Sequence, residues 1–165
     1  MATLQRIVPC LWFDSQAEEA ANFYICIFKR ASISTISRYT EAGHEVHGRP
    51  PGSVLAVEFE IDGQSITALN GGPAFKFNEA VSLQVMCANQ EEIDEYWEKL
   101  SEGGDPKAQQ CGWLKDKFGL SWQVVPNSLS LMMADPDPAK TSRVMTAMLK
   151  MKKIDLAELD AAYRG

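Results

Sequence analysis

Short apolar runs and amphipathic stretches follow one another along the chain in an order that occurs twice. In the first half, the apolar run from Ile7 to Phe13 predicts a strand, and Ser15 to Glu18 is a capping box that starts a helix. Apolar residues then recur at helical spacing, at Ala20, Phe23, Tyr24, Ile27 and Phe28. Strands are predicted next at 31–39, 54–61 and 64–70, with a polar loop at 40–53 and the hairpin turn Asp62-Gly63.

The second half repeats this order with different residues. A strand is predicted from Val81 to Cys87, followed by a helix that Asn89 caps and whose apolar stripe is Ile93, Trp97 and Leu100. A weak strand near 107–110 and a hairpin with strands at 113–115 and 120–125 complete the half. Strand, helix and three strands in each half predict an α+β fold within a single domain of residues 1–165. The order of elements permits either a ferredoxin-like fold or two paired βαβββ modules, at 5–72 and 79–127.

Residues 128–165 form a helical extension of these modules. Val144, Ala147, Met148 and Met151 are spaced as one helical stripe, and Asp155 is placed to cap a last helix. The tail must bury this stripe against something, and a partner subunit is one candidate surface. An interaction role for the tail is therefore one functional hypothesis.

Composition restricts the classes of partner. The 165 residues carry a net charge of -6, and an acidic surface is a poor match for the phosphate backbone of nucleic acid. No apolar run approaches the roughly 20 residues that span a bilayer. The four cysteines, at 10, 26, 87 and 111, form no C-x-x-C pair and predict mostly buried thiols. With no signal peptide, this favours a protein of the reducing cytoplasm.

Particular residues then resemble one family. The segments that carry the resemblance are Leu11-Trp12-Phe13-Asp14, Ala68 to Pro73, Phe75 to Ser82 and Met151 to Leu156, and the most specific is the run from Cys111 to Pro126. They resemble PhnB-like proteins, labelled 3-demethylubiquinone-9 3-methyltransferase, of the vicinal oxygen chelate (glyoxalase/bleomycin-resistance) superfamily. The resemblance implies the paired βαβββ modules, each with a sheet curled around a pocket. It also implies a homodimer and methyl transfer from S-adenosylmethionine.

Metal-using members of that superfamily place His or Glu at four pocket-facing strand positions. The strand order maps these positions onto Val8, Ala68, Ser82 and Gln123, give or take one residue. Val8 and Ala68 carry no donor atom, and zinc needs three or four nitrogen, sulfur or oxygen ligands. We therefore predict no metal and no cofactor.

Two other kinds of chemistry have little support in the sequence. The first strand runs into Asp14-Ser15-Gln16 without the glycine-rich turn of common S-adenosylmethionine sites. His44 and His47 lie in one Gly- and Pro-rich loop, which predicts a solvated segment rather than a chelate or a catalytic dyad. The loop is a candidate lid, through His47 and Arg49.

The predicted pocket wall mixes aromatic and neutral polar residues: Val8, Cys10, Trp12, Ala68, Asn70, Ser82, Gln84, Trp113 and Gln123. Such a lining suits a small, partly aromatic ligand. The first functional hypothesis is a metal-independent small-molecule-binding protein. The alternative is an enzyme, either the labelled methyltransferase or a glyoxalase-like lyase.

Overall fold

A computed structural model of the protein describes residues 5–165, and the chain divides into two compact units, residues 1–76 and 77–165. The first unit contains β1 (Cys10–Phe13), α1 (Ala17–Ile27), β2 (Ala31–Arg38), α2 (His44–His47), β3 (Val54–Ile61) and β4 (Gln64–Asn70). The second contains β5 (Ser82–Cys87), α3 (Gln90–Ser101), a 3-10 turn (Pro106–Ala108), β6 (Trp113–Lys115), β7 (Ser121–Pro126), α4 (Leu129–Met133), α5 (Pro138–Met148) and α6 (Leu156–Arg164). The fold is mixed α+β, with one sheet in each unit.

The first sheet has four strands in the order β1-β4-β3-β2, and β1 and β4 are parallel. The turn Asp62-Gly63 joins β3 to β4, and both of its residues have positive φ, at 49° and 83°. This is the backbone of a tight hairpin turn, and it pairs Ile61 with Gln64. Helix α1 packs on one side of the sheet through the buried Ala20, Tyr24 and Ile27.

Helix α1 begins differently from its prediction. Its N-cap is Gln16, which makes no side-chain cap, so the capping box predicted at Ser15 does not form. Instead, the backbone N–H of Ala17 donates to Oδ1 of Asn70 at 2.8 Å. The cap therefore comes from the end of β4, which couples the start of the helix to the sheet.

The second sheet has three strands in the order β5-β7-β6, with β5 and β7 parallel. The strand predicted near 107–110 is wrong: Pro106–Ala108 is a 3-10 turn, and Gln110 forms only an isolated bridge to Trp113. The predicted cap of α3 is confirmed, since Oδ1 of Asn89 accepts the N–H of Glu92 at 2.9 Å. Glu92 in turn accepts the N–H of Ala88, the residue before the N-cap, at 2.8 Å, so both side chains bind backbone N–H groups at the start of the helix.

The tail belongs to the second unit. Backbone N–H groups of Cys111 and Gly112 donate to the carbonyls of Met151 and Lys152, at 2.9 and 2.8 Å. Apolar residues of the tail are buried within the chain itself: Met132, Val144, Met151, Ile154 and Leu159. The predicted cap Asp155 forms and accepts the N–H of Glu158, and Asp137 caps α5 by accepting the N–H of Ala139.

Candidate functional site

We use the term open face for the side of each sheet that lies opposite its own helix, α1 or α3. In the first sheet, Leu11 and Phe13 are buried toward α1, while Cys10 and Trp12 lie on the open face. Val8 precedes β1 and is 41% exposed. The sequence-based assignment of faces in this strand therefore agrees with the structure.

In β4 the predicted faces are wrong by one residue. Leu11 pairs with Ala68 and Phe13 pairs with Asn70, so Ala68 and Asn70 lie on the helix side and are buried. Thr67 and Leu69 take the open face instead, beside Cys10 and Trp12. Ala68 and Asn70 are therefore not part of the face that carries the other predicted wall residues of this unit.

Asn70 has a structural task on the helix side. Its Oδ1 caps α1, and its Nδ2 donates to the carbonyl of Val54 at 3.0 Å. A buried amide satisfied at both ends is costly to remove, because its partners would be left without hydrogen bonds. Asn70 also borders a small cavity of about 190 Å³, whose other lining residues are Ser15, Glu18, Arg49, Pro50, Ser53 and Val54.

Trp12 covers the glycines that follow β4. Its Nε1 donates to the carbonyl of Gly72 at 2.8 Å, and a Cβ added at Gly71 would lie 2.2 Å from the indole ring. Phe75 meets the indole edge-on, with ring centroids 5.0 Å apart, and is 66% exposed. Trp12 and Phe75 thus form an aromatic corner on the first unit, and Phe75 is a member that the sequence-based wall omitted.

The predicted lid loop contains one turn of helix, α2, where no helix was expected. His47 lies against Tyr39, with ring centroids 4.5 Å apart. Its Nδ1 accepts the N–H of Arg49 at 3.0 Å, and its Nε2 lies 3.2 Å from the carbonyl of Ala42. Both ring nitrogens are therefore engaged with backbone groups of the loop.

Arg49 anchors this loop to the end of β1. Its Nη2 donates to the backbone carbonyl of Asp14 at 2.6 Å and to the Asp14 carboxylate at 2.9 Å. An ion pair of this kind on the surface is worth roughly 0–1 kcal/mol, so it holds the loop only weakly.

In the second unit the predicted wall residues share one face. Gln84, Gln123 and Trp113 form one row across the three strands, and Ser82, Ser121 and Lys115 form the next. Nε2 of Gln123 donates to Oγ of Ser82 at 2.8 Å, and Nε2 of Gln84 donates to Oε1 of Gln123 at 3.2 Å. The structure thus joins Ser82, Gln84 and Gln123 into one hydrogen-bonded chain.

Ser121 and Lys115 also lie on this face, and neither was among the predicted wall residues. Ser121 is 1% exposed, and its Oγ has no hydrogen-bond partner among residues 5–165. Nζ of Lys115 forms an ion pair with the carboxylate of Glu79. The hydrogen bond that Lys115 donates to this carboxylate lowers the pKa of Glu79. The signal in the sequence that could have revealed Ser121 and Lys115 is their alternation with the apolar Leu114 and Trp122, which are buried.

The residues at the four mapped metal positions do not fit a metal ion. Val8 and Ala68 offer no donor, Ala68 faces the helix, and Ser82 and Gln123 are neutral and bonded to each other. In the described part of the chain, no three side chains of His, Cys, Asp or Glu are grouped so that they could hold a metal.

The cysteines differ from their prediction, because Cys10 and Cys26 are exposed and Cys111 is half-buried. Only Cys87 is buried, and burial, with a smaller contribution from Glu92, raises its pKa to about 12. Since the thiolate is the nucleophile, Cys87 is inert at neutral pH. Among residues 5–165, no helix is both long and apolar enough to cross a membrane.

Comparison with known proteins places these features in a family. The model of the 3-demethylubiquinone-9 3-methyltransferase family matches residues 5–125. A PhnB protein from Bacillus cereus that carries the same methyltransferase name is 36% identical, with a TM-score of 0.62 over 74% of this chain and 99% of its own. No curated protein matches the chain.

Two more distant structures share the fold. Protein PA1353 from Pseudomonas aeruginosa is 20% identical, with a TM-score of 0.56 over 75% of this chain and 98% of its own. The fosfomycin resistance protein FosX from Listeria monocytogenes, solved with Mn(II) and sulfate, is 17% identical, with a TM-score of 0.51 over 81% of this chain and 96% of its own.

Proposed function

The chain belongs to the 3-demethylubiquinone-9 3-methyltransferase (PhnB-like) family of the vicinal oxygen chelate superfamily, and from the residues of its open face we propose that it is a metal-independent small-molecule-binding protein. The observation that carries the proposal is the row Gln84–Gln123–Trp113 on the open face of the second sheet. Neutral hydrogen-bonding groups beside an aromatic ring orient a small ligand without needing a metal.

The polar chain in this row retains unused hydrogen-bonding capacity. Each Gln side-chain amide has two N–H donors, and Ser82, which accepts from Gln123, still has its own hydroxyl proton to donate. These groups are half-buried or exposed, so a ligand can reach them.

The first unit has an apolar surface of its own, the aromatic corner of Trp12 and Phe75. The proposed lid residues His47 and Arg49 lie in the same unit.

The experiment is a ligand-observed NMR screen of small aromatic compounds against the full chain, with and without EDTA. We expect binding that EDTA leaves unchanged and that Gln123→Leu weakens about tenfold, since a ligand group would lose a hydrogen bond worth roughly 1.4 kcal/mol. Gln64→Leu is the matched control, because Gln64 is exposed and its side-chain amide donates to the carbonyl of its neighbour Ser65, away from the second sheet.

Two results would contradict the proposal. Elemental analysis that finds a stoichiometric metal, together with loss of binding in EDTA, would make the site metal-dependent. Saturable binding of S-adenosylmethionine followed by methyl transfer would instead support the enzyme named by the family label.

A further inference from the structure

We propose that the open face of the second sheet binds an oxyanion, a carboxylate or a phosphonate-type group of the ligand, at Ser82, Ser121 and Lys115. The proposal rests on the proposed function, and it names the class of ligand for that site. These three side chains lie side by side in one row on adjacent strands.

The unpartnered hydroxyl of Ser121 is the first argument. A buried hydroxyl without a hydrogen bond costs free energy, and buried polar groups are nearly always paired. Ser121 lies between Ser82 on β5 and Lys115 on β6, in register with both. A ligand oxygen placed over this row would give Ser121 the acceptor that residues 5–165 do not supply.

The direction of the neighbouring hydrogen bonds is the second argument. Gln84 donates to Gln123, and Gln123 donates to Ser82, so the chain of donors ends on the Ser82 hydroxyl. Because the Ser82 oxygen accepts this bond, its own proton is directed to a further acceptor. Two hydroxyl donors and an ammonium group therefore occupy one row, which matches the lone pairs of an oxyanion.

The ion pair at Lys115 is the third argument. Glu79, three residues before β5, already places a carboxylate on Lys115, so an oxyanion is held at this ammonium within the chain itself. The Glu79 side chain is 66% exposed while that of Lys115 is 24% exposed. An exposed carboxylate is weakly held, and a ligand that gains the serine hydroxyls as well can displace it.

The test is to titrate the full chain with three matched probes. The NMR signals of the Gln84 and Gln123 side-chain amides report binding. Benzoate carries a carboxylate, phenylphosphonate carries a phosphonate, and benzamide is the neutral analogue of benzoate. We expect saturable shifts with at least one anion and affinity about tenfold weaker for benzamide. The stronger anion identifies the headgroup.

Substitutions on this face identify the residues that bind the anion. We expect Lys115→Met to weaken anion binding about tenfold, and Lys117→Met, which removes the same charge from the adjacent hairpin, to leave it unchanged. Glu79→Gln removes the internal competitor and is expected to strengthen binding up to about fivefold. The Ser121 hydroxyl has no hydrogen bond to lose among residues 5–165, so we expect Ser121→Ala to fold normally and to weaken only anion binding.

The failures can be told apart. If benzamide binds as tightly as both anions and Lys115→Met has no effect, the oxyanion assignment is overturned while the proposed binding function stands. If no probe shifts the Gln84 and Gln123 signals at saturating concentration, the oxyanion assignment fails, and the compound screen decides the proposed function separately.

Discussion

Asn70 shows how one buried side chain can hold two elements in place. It accepts the first N–H of α1 and donates to the carbonyl of Val54, where β3 begins. We expect Asn70→Ala to lower the free energy of unfolding by about 2 kcal/mol, from the lost cap and the unsatisfied carbonyl. Urea denaturation measures this.

Asn22→Ala is the control for that substitution. Asn22 is exposed on α1, and its amide donates to the carbonyl of Glu18 in the same helix. Its loss is expected to change stability by less than about 0.5 kcal/mol. Equal effects of the two substitutions would show that Asn70 does not cap the helix.

The same residue shows why the predicted faces of β4 are wrong. A polar residue at the end of a strand is typical of a pocket, and the partner of its side chain on a distant helix is not visible in the sequence. The hairpin turn could have given the correct faces: if Asp62-Gly63 pairs Ile61 with Gln64, then Val57 is opposite Ala68. Val57, Phe59 and Ile61 form one apolar face, and Ala68 must share it.

At the scale of elements, helix α3 was predictable from its own residues. Asn89, Glu92 and the apolar positions Ile93 and Leu100 provide the cap and the buried stripe locally. The strand predicted after it failed because of local geometry as well. Pro106 has no backbone N–H for a sheet, and the Asp105 side chain accepts the N–H of Lys107, which closes a turn.

The tail reaches the backbone beside β6 at Gly112, and this contact requires glycine. Gly112 has a φ of 81°, and a Cβ there would lie 2.9 Å from the carbonyl oxygen of Val124 and 3.1 Å from Ile154. Gly119 has nearly the same φ, 85°, with open space around it. The two positions therefore separate backbone strain from crowding.

We expect Gly119→Ala to cost about 1 kcal/mol from positive φ alone. Gly112→Ala should cost about 3 kcal/mol, because overpacking against Val124 and Ile154 is added to the same strain. Thermal unfolding of both variants measures the difference. If the two midpoints fall equally, the tail does not pack on Gly112 as described.

At the scale of the whole molecule, the expected homodimer stays a prediction. Large apolar side chains remain exposed in the described chain, notably Leu131 of α4 at 75% and Leu149, just after α5, at 55%. Light scattering is expected to give twice the chain mass of 18.3 kDa. A concentration-independent mass of a single chain would refute the dimer.

The order of elements in both modules came largely from the sequence, because hydrophobic periodicity and caps are local signals. The open face of the second sheet was predicted better than that of the first. Ser82, Gln84 and Gln123 alternate with apolar residues of parallel strands, which is a local signal. The missing partner of the Ser121 hydroxyl and the pairing of Lys115 with Glu79 depend on contacts between distant residues.

The indole of Trp12, lying on Gly71 and bonded to Gly72, also has an optical consequence. Trp12 is the single tryptophan of residues 1–76, while Trp97, Trp113 and Trp122 all belong to the second unit. With those three replaced by phenylalanine, the tryptophan emission of the chain would come from the first unit alone. Its wavelength would then report the melting of one half of the molecule without interference from the other.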